Sequence, residues 1–97
     1  MQAVKKVEII ISSLEINEVL ELLDQAKVTG YTVIKNTSGK GDRGFSNDDL
    51  GEVFSNTYIM TVCTNEKQLE QIISSVTPLL KRVGGVCLVN DATWIHH

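Results

Sequence analysis

"VTGYTVIKNTSGKGDRG", Val28 to Gly44, decides how the rest of this chain is read. It begins as a helical pattern ends, holds a β-rich run at Tyr31–Lys35, and closes on a glycine-basic segment. Gly39-Lys40-Gly41-Asp42-Arg43-Gly44 fits the spacing G-x-G-x-x-G. In a dinucleotide-binding fold that turn opens a helix whose N-terminus faces a pyrophosphate. Here "FSNDDLGEVFSN" (Phe45–Asn56) follows, with no apolar stripe at helical spacing. A Walker loop fails as well, because Gly41 follows Lys40 where Ser or Thr is needed to meet a magnesium ion. The next regular element is another β-rich run, "TYIMTVC" (Thr57–Cys63). The passage therefore reads as strand, long loop, strand.

Upstream, Val7, Ile9 and Ile11 alternate with Glu8, and Ile10 thickens the run, which reads as a central strand over roughly residues 3–12. Ile16, Val19, Leu20 and Leu23 then recur at helical spacing, with Glu15, Glu18, Glu21 and Asp24 on other faces. Ser12 or Ser13 can cap that helix, and Gly30 sits just past its end. Downstream, Asn65 with Gln68 forms a capping-box pattern before Leu69, Ile72, Ile73, Val76, Leu79 and Leu80. Gly84-Gly85 stops this second helix, "VCLVN" (Val86–Asn90) is a fourth strand, and "DATWIHH" reads as a short tail. The order is β-α-β-β-α-β. Two right-handed β-α-β units then interleave in an α+β, ferredoxin-like plan: a four-stranded antiparallel sheet with both helices on one face. Residues 1–97 form a single domain.

Two features exceed the minimal plan. About twenty residues, roughly 36–56, separate the second and third strands, where a tight hairpin would suffice. The part from about Phe45 to Ser55 is polar and without a periodic apolar stripe, so it is expected to be mobile. The sheet face away from the helices is also apolar, since Ile10, Tyr58, Met60 and Val62 must point there. Another subunit is its expected cover.

Composition narrows the function. The chain has 97 residues and a formal charge of −3, with a pI near 5.2, which argues against nucleic-acid or anionic-membrane binding. A chain of this length buries roughly 60–65% of its unfolded surface, so assembly would help it. The run "VEIII" is too short to span a bilayer, and the N-terminus does not read as a signal peptide. Cys63 and Cys87 lack metal-type spacing and read as free, small hydrophobic residues of a cytoplasmic protein. No nucleophile-base-acid set is visible, because both histidines, His96 and His97, are terminal; no enzyme, resident cofactor or metal site is expected. The third strand offers only Tyr58 where an RNA-recognition sheet needs several aromatics. An acylphosphatase-type site would want an arginine at Ser12-Ser13-Leu14. Trp94 is expected to pack at the tail, with stacking on a base the less favoured reading.

Two glycine-basic spots remain. Around Gly39, Lys40, Gly41 and Arg43, converging N–H groups and two cations could clip a phosphate. Read locally, a solvated turn is favoured over such a clip. Lys81 and Arg82 before Gly84-Gly85 are explained by the dipole at a helix C-terminus, and gain interest only if this spot meets the first in space.

With these pieces placed, the chain resembles a PII-like signalling protein over nearly all its length. Thr29, Gly30, Thr32 and Val33 match the family's "TG-x-T-V" step into the second strand. "GKGDRG" resembles the base of its T-loop, and "KRVGG" its B-loop. The resemblance implies a homotrimer with nucleotides in the clefts between subunits, and Thr32, Gly39, Lys40, Gly41, Arg43, Lys81, Arg82, Gly84 and Gly85 as the residues at that ligand. It also implies a partner protein, such as a membrane transporter, engaged through the loop at about 36–56. The departures are specific. Gly84-Gly85 are adjacent, Val86 stands where the family places a lysine, and the tail carries His96 and His97 in place of arginines. The loop base lacks the glutamine used to sense 2-oxoglutarate. The loop start resembles more closely the members associated with bicarbonate transport and carboxysomes, which respond to adenine nucleotides; AMP, ADP or cyclic AMP is the implied ligand. A divalent-metal-handling trimer of the cation-tolerance type, or a trimeric interaction module without nucleotide, remains the alternative.

Overall fold

The architecture is taken from a computed structural model, which describes residues 1–37, 40–41, 44–45 and 55–97, with only the backbone described at 40, 41, 44 and 45. The chain runs β1 (Gln2–Ser12), a 3-10 turn (Ser13–Glu15), α1 (Ile16–Gln25), β2 (Tyr31–Thr37), β3 (Lys40–Gly41), β4 (Gly44–Phe45), β5 (Asn56–Cys63), α2 (Glu66–Val83) and β6 (Val86–Trp94). The main sheet has the order β2-β5-β1-β6, every neighbouring pair antiparallel. That is the ferredoxin-like arrangement. β3 and β4 form a separate two-stranded ladder within the long loop.

The alternation read in the sequence is the alternation that builds the core. Val7, Ile9 and Ile11 of β1 and Thr57, Ile59, Thr61 and Cys63 of β5 are buried on one face. α1 brings Val19, Leu22 and Leu23 to it, and α2 brings Leu69, Ile72, Val76 and Leu79. The two core threonines are tolerated because their hydroxyls have partners. Thr61 Oγ1 donates to the Gly30 carbonyl at 2.7 Å, and Thr57 Oγ1 lies 2.7 Å from Ser13 Oγ.

Helix α2 starts as its sequence suggests. Asn65 accepts from the Gln68 backbone N–H at 2.9 Å, while the Gln68 side chain accepts from the N–H of Thr64 at 3.0 Å, one residue earlier than in the standard capping box. Asn65→Ala is expected to cost about 1 kcal/mol and lower the melting temperature by about 4–8 °C. Asn65→Ser should restore most of it, as followed by circular dichroism. Pro78 sits inside α2, so the Ser74 carbonyl loses its ordinary partner. Thr77 Oγ1 donates one turn back to the Ile73 carbonyl at 2.7 Å.

Three boundaries differ from the sequence reading. α1 ends at Gln25, and the residue that turns the chain away is Lys27, in the left-handed conformation (φ 61°), not Gly30. The N–H groups of Ala26, Lys27 and Val28 close the last turn by bonding back to Leu22, Asp24 and Leu23 carbonyls, so a glycine is not needed there. Gly30 has open space around it. Ser12 caps the 3-10 turn by accepting from Leu14 N–H at 3.3 Å, and α1 itself has no side-chain cap. The supposed tail is mostly strand: β6 continues to Trp94, paired with Gln2 of β1. Its polar residues disguised it, because both faces of this edge stretch are largely exposed in the single chain.

The long loop leaves the sheet at a tied base. The register between β2 and β5 shifts between Ile34 and Thr37, and Asn36 takes a left-handed φ of 59°. Ser55 Oγ donates to Asn36 Oδ1 at 3.2 Å, and Ser13 Oγ lies 2.9 Å from Ser55 Oγ. Both ends of the loop are thus bonded to each other and to the turn after β1. Of the stretch expected to be mobile, Phe45–Ser55, residues 46–54 lie outside the described residues, and Ser55 at its end is buried.

The face away from the helices is apolar, as anticipated. By alternation it carries Ile10, Ile34, Tyr58, Met60, Val62, Val86 and Leu88. Ile34, Val86 and Leu88 are exposed there. Within it, the Tyr58 hydroxyl donates to Glu8 Oε2 at 2.5 Å, and Lys6 Nζ lies 3.6 Å from Glu8 Oε1. The bond to the Glu8 carboxylate, with burial second, holds the Tyr58 phenol above its ordinary pKa.

Candidate ligand-binding site

The residues singled out in the sequence fall at two places. Thr32 lies at the start of β2, opposite Met60 of β5, and β2 is one edge of the sheet. It lines an open pocket of about 330 Å³ together with Thr29, Gly30, Met60, Val62 and Trp94. Among the described residues no charged side chain lines that pocket. Its volume is at the lower end of the roughly 300–1,000 Å³ typical of small-ligand sites.

The second spot lies at the α2–β6 junction, and β6 is the opposite edge. Lys81 and Arg82 occupy the last turn of α2. Gly84 (φ 81°) ends the helix, its N–H bonding the Leu80 carbonyl at 2.8 Å. Gly85 (φ 114°) passes so close to β1 that a Cβ there would sit 2.8 Å from the Ile10 carbonyl oxygen. Arg82 is engaged: its Nη2 donates to Glu18 Oε1 at 3.0 Å and Oε2 at 3.3 Å, across from α2 to α1. Both side chains are about half exposed.

Of the loop residues, Lys40 and Gly41 form β3, with Lys40 paired to Phe45 and Gly41 to Gly44. Gly39 and Arg43 lie outside the described residues. A single chain thus sets Thr32, on β2, and the Lys81–Gly85 spot, at the start of β6, on opposite edges of one sheet, while the pocket beside Thr32 also takes Trp94 from the far end of β6.

The thiols fit no reactive role. Burial pushes Cys63 and Cys87 above the ordinary thiol range, and neither is in a disulfide. Among the described residues no three His, Cys, Asp or Glu side chains gather to hold a metal ion, and no helix is long and apolar enough to cross a membrane.

The family model described as nitrogen regulatory protein P-II matches residues 4–97. The chain belongs to the P-II family. Among solved structures, the chain is similar to the PII-like protein CPII of Thiomonas intermedia K12. One CPII structure, bound to ADP, AMP and bicarbonate, is 30% identical with a TM-score of 0.84, and the match covers 93% of this chain and 86% of that one. Another, bound to ADP and bicarbonate, is 31% identical with a TM-score of 0.75 and covers 93% and 86%. GlnK of B. subtilis, at 18% identity, a TM-score of 0.62 and coverage of 95% and 87%, shares the fold. No curated protein sequence matches the chain.

Two features of this P-II chain escaped the sequence reading. Trp94 lines the Thr32 pocket, and the side chains of Ser13, Asn36 and Ser55, from three separate segments, tie the loop base. The continued alternation Leu88, Asn90, Ala92, Trp94 could have revealed the first. The second had no local signal, since Ser13 and Ser55 meet only through the fold.

Proposed function

We propose that this P-II protein is a regulator, not an enzyme, that binds an adenine nucleotide at clefts between the subunits of a homotrimer. It signals to a partner protein, such as a membrane transporter, through the loop at about 36–56. The observation that carries this reading is the split site. The pocket beside Thr32 suits a base, two glycine-basic spots suit phosphates, and one chain holds Thr32 and the B-loop on opposite sheet edges. A neighbouring subunit brings one chain's edge against the other's, and the exposed apolar face supplies the surface that joins them. CPII, bound to ADP and AMP, is a relative with the same fold at about the same length.

In this reading Thr32 lies at the base, while Gly39, Lys40, Gly41 and Arg43 of the loop and Lys81, Arg82, Gly84 and Gly85 of the B-loop surround the phosphates. Arg82 must leave Glu18 to reach them. An exposed ion pair is worth only ~0.2–1 kcal/mol, so the exchange is cheap. Val86 and the arginine-free tail leave few cations for a triphosphate, so AMP, ADP or cyclic AMP should bind at least as well as ATP.

Calorimetric titration with AMP, ADP, ATP and cyclic AMP tests this. Lys40→Ala should weaken every phosphate-bearing ligand about tenfold, the loss of one partly exposed charge-assisted hydrogen bond at ~1.5 kcal/mol, and leave adenosine unaffected. ATP binding far more tightly than ADP, or unaltered affinities in Lys40→Ala, would show that the phosphates lie elsewhere. Deleting residues 46–54 should abolish partner capture and leave the assembly intact.

A further inference from the structure

Trp94 has no part in holding phosphates, yet it is the chain's only tryptophan and it lines the pocket at Thr32. We propose that Trp94 selects the nucleotide's purine ring by stacking on it, so that this side chain sets base preference. The inference rests on the nucleotide reading above.

Four observations point this way. First, Met60, Val62 and Trp94 line the pocket beside Gly30, Tyr31 and Thr61, with Thr29 and Thr32 at hand for hydrogen bonds and no charge among the described lining residues. Such a surface rejects a phosphate and accepts a flat, weakly polar ring with polar edges. Second, Trp94 remains 36% exposed although it stands within a paired strand, so part of its surface is still open in the single chain.

Third, the indole is preorganised. Its backbone is held in the β6 ladder opposite Gln2. Two residues on, the His96 ring lies parallel to it, with centroids 6.3 Å apart and planes 6° from each other. A ring ordered before binding loses little entropy when a ligand arrives. Fourth, Met60 opposite Thr32 gives the pocket a flexible, polarisable thioether, which adapts to an aromatic edge. Stacking scales with ring area, so purines should be held more firmly than pyrimidines.

The full-length protein supplies its own reporter. Trp94 emission is followed while AMP, CMP and ribose 5-phosphate are added, with calorimetry of the same titrations. AMP should quench the emission saturably, with the dissociation constant found by heat. CMP should bind more weakly, and ribose 5-phosphate should leave the emission unchanged. Trp94→Leu should weaken AMP by roughly ten- to a hundredfold, the range found when one base loses its aromatic platform, while Trp94→Phe should stay within about threefold. AMP that binds by heat with unchanged emission, or with unchanged affinity in Trp94→Leu, overturns the stacking role and leaves the nucleotide reading standing. So does a hundredfold loss in Trp94→Phe, which keeps an aromatic ring. If AMP gives no heat with the wild-type protein at millimolar concentration, the nucleotide reading fails and this role falls with it.

Discussion

Leu88→Asp is expected to turn an assembly of about 32 kDa, three chains of 10.7 kDa each, into single chains. Leu88 is 53% exposed in the isolated subunit, on the sheet face that carries no helix. An aspartate there costs the subunit little, because water still reaches it. In an interface the same carboxylate would be taken out of water opposite Glu8, its partner across β1 and β6. An unpaired buried charge next to a like charge costs several kcal/mol, more than a subunit contact of a small domain can absorb. Ile73→Asp is the control. Ile73 is also exposed, at 43%, but it lies on α2 on the other side of the molecule. Light scattering should show the wild type and Ile73→Asp near 32 kDa and Leu88→Asp near 11 kDa, with circular dichroism unchanged in all three. A wild-type chain that stays monomeric at micromolar concentration, or a Leu88→Asp protein that stays trimeric, would rule out the sheet face as the interface.

Gly85→Ala should be the most damaging single methyl in the described chain. Two independent penalties meet at this residue. Its φ of 114° is one that side chains rarely adopt, and the new Cβ would stand 2.8 Å from the Ile10 carbonyl oxygen. That oxygen belongs to the central strand, so it cannot retreat without disturbing the ladders on both sides. Leu80 and Ile11 close the remaining space at 3.2 and 3.3 Å. Strain of this kind amounts to about 2–3 kcal/mol, which for a domain of this size lowers the melting temperature by about 10–20 °C. Gly30→Ala provides the contrast, since nothing lies within 4 Å of its Cβ position. Its stability should stay within about 0.5 kcal/mol of wild type. Equal melting temperatures for the two variants would mean that the close approach at Gly85 is not rigid.

The positions of the candidate site residues were legible in part. Thr32, Lys81, Arg82, Gly84 and Gly85 stand where the sequence motifs put them, on the start of β2 and around the end of α2. That they sit on opposite sheet edges could not be read from spacing, because edge position follows from strand order. Arg82 illustrates the limit: it reads locally as a cation on a helix terminus, whereas in the fold it spans to Glu18 of the other helix.

By itself the sequence determined the elements and their inward faces. Period-two alternation in Val7–Ile11 and Thr57–Cys63, and helical spacing in Ile16–Leu23 and Leu69–Leu80, are one-dimensional records of which atoms leave water. Stop signals at Gly84-Gly85 and the cap at Asn65 are equally local, since each acts on backbone groups within one turn. Only the tertiary structure decided the rest. β6 runs on to Trp94 because Gln2, Ala3 and Val4 of β1 offer unpaired backbone groups beside it. Lys27 accepts a left-handed φ because the bonds closing α1 hold it there. Ser13, Asn36 and Ser55 meet at the loop base because the ends of β1 and β2 lie beside the start of β5. Each depends on groups far apart in the chain, and their proximity is set by strand pairing, which no local period encodes.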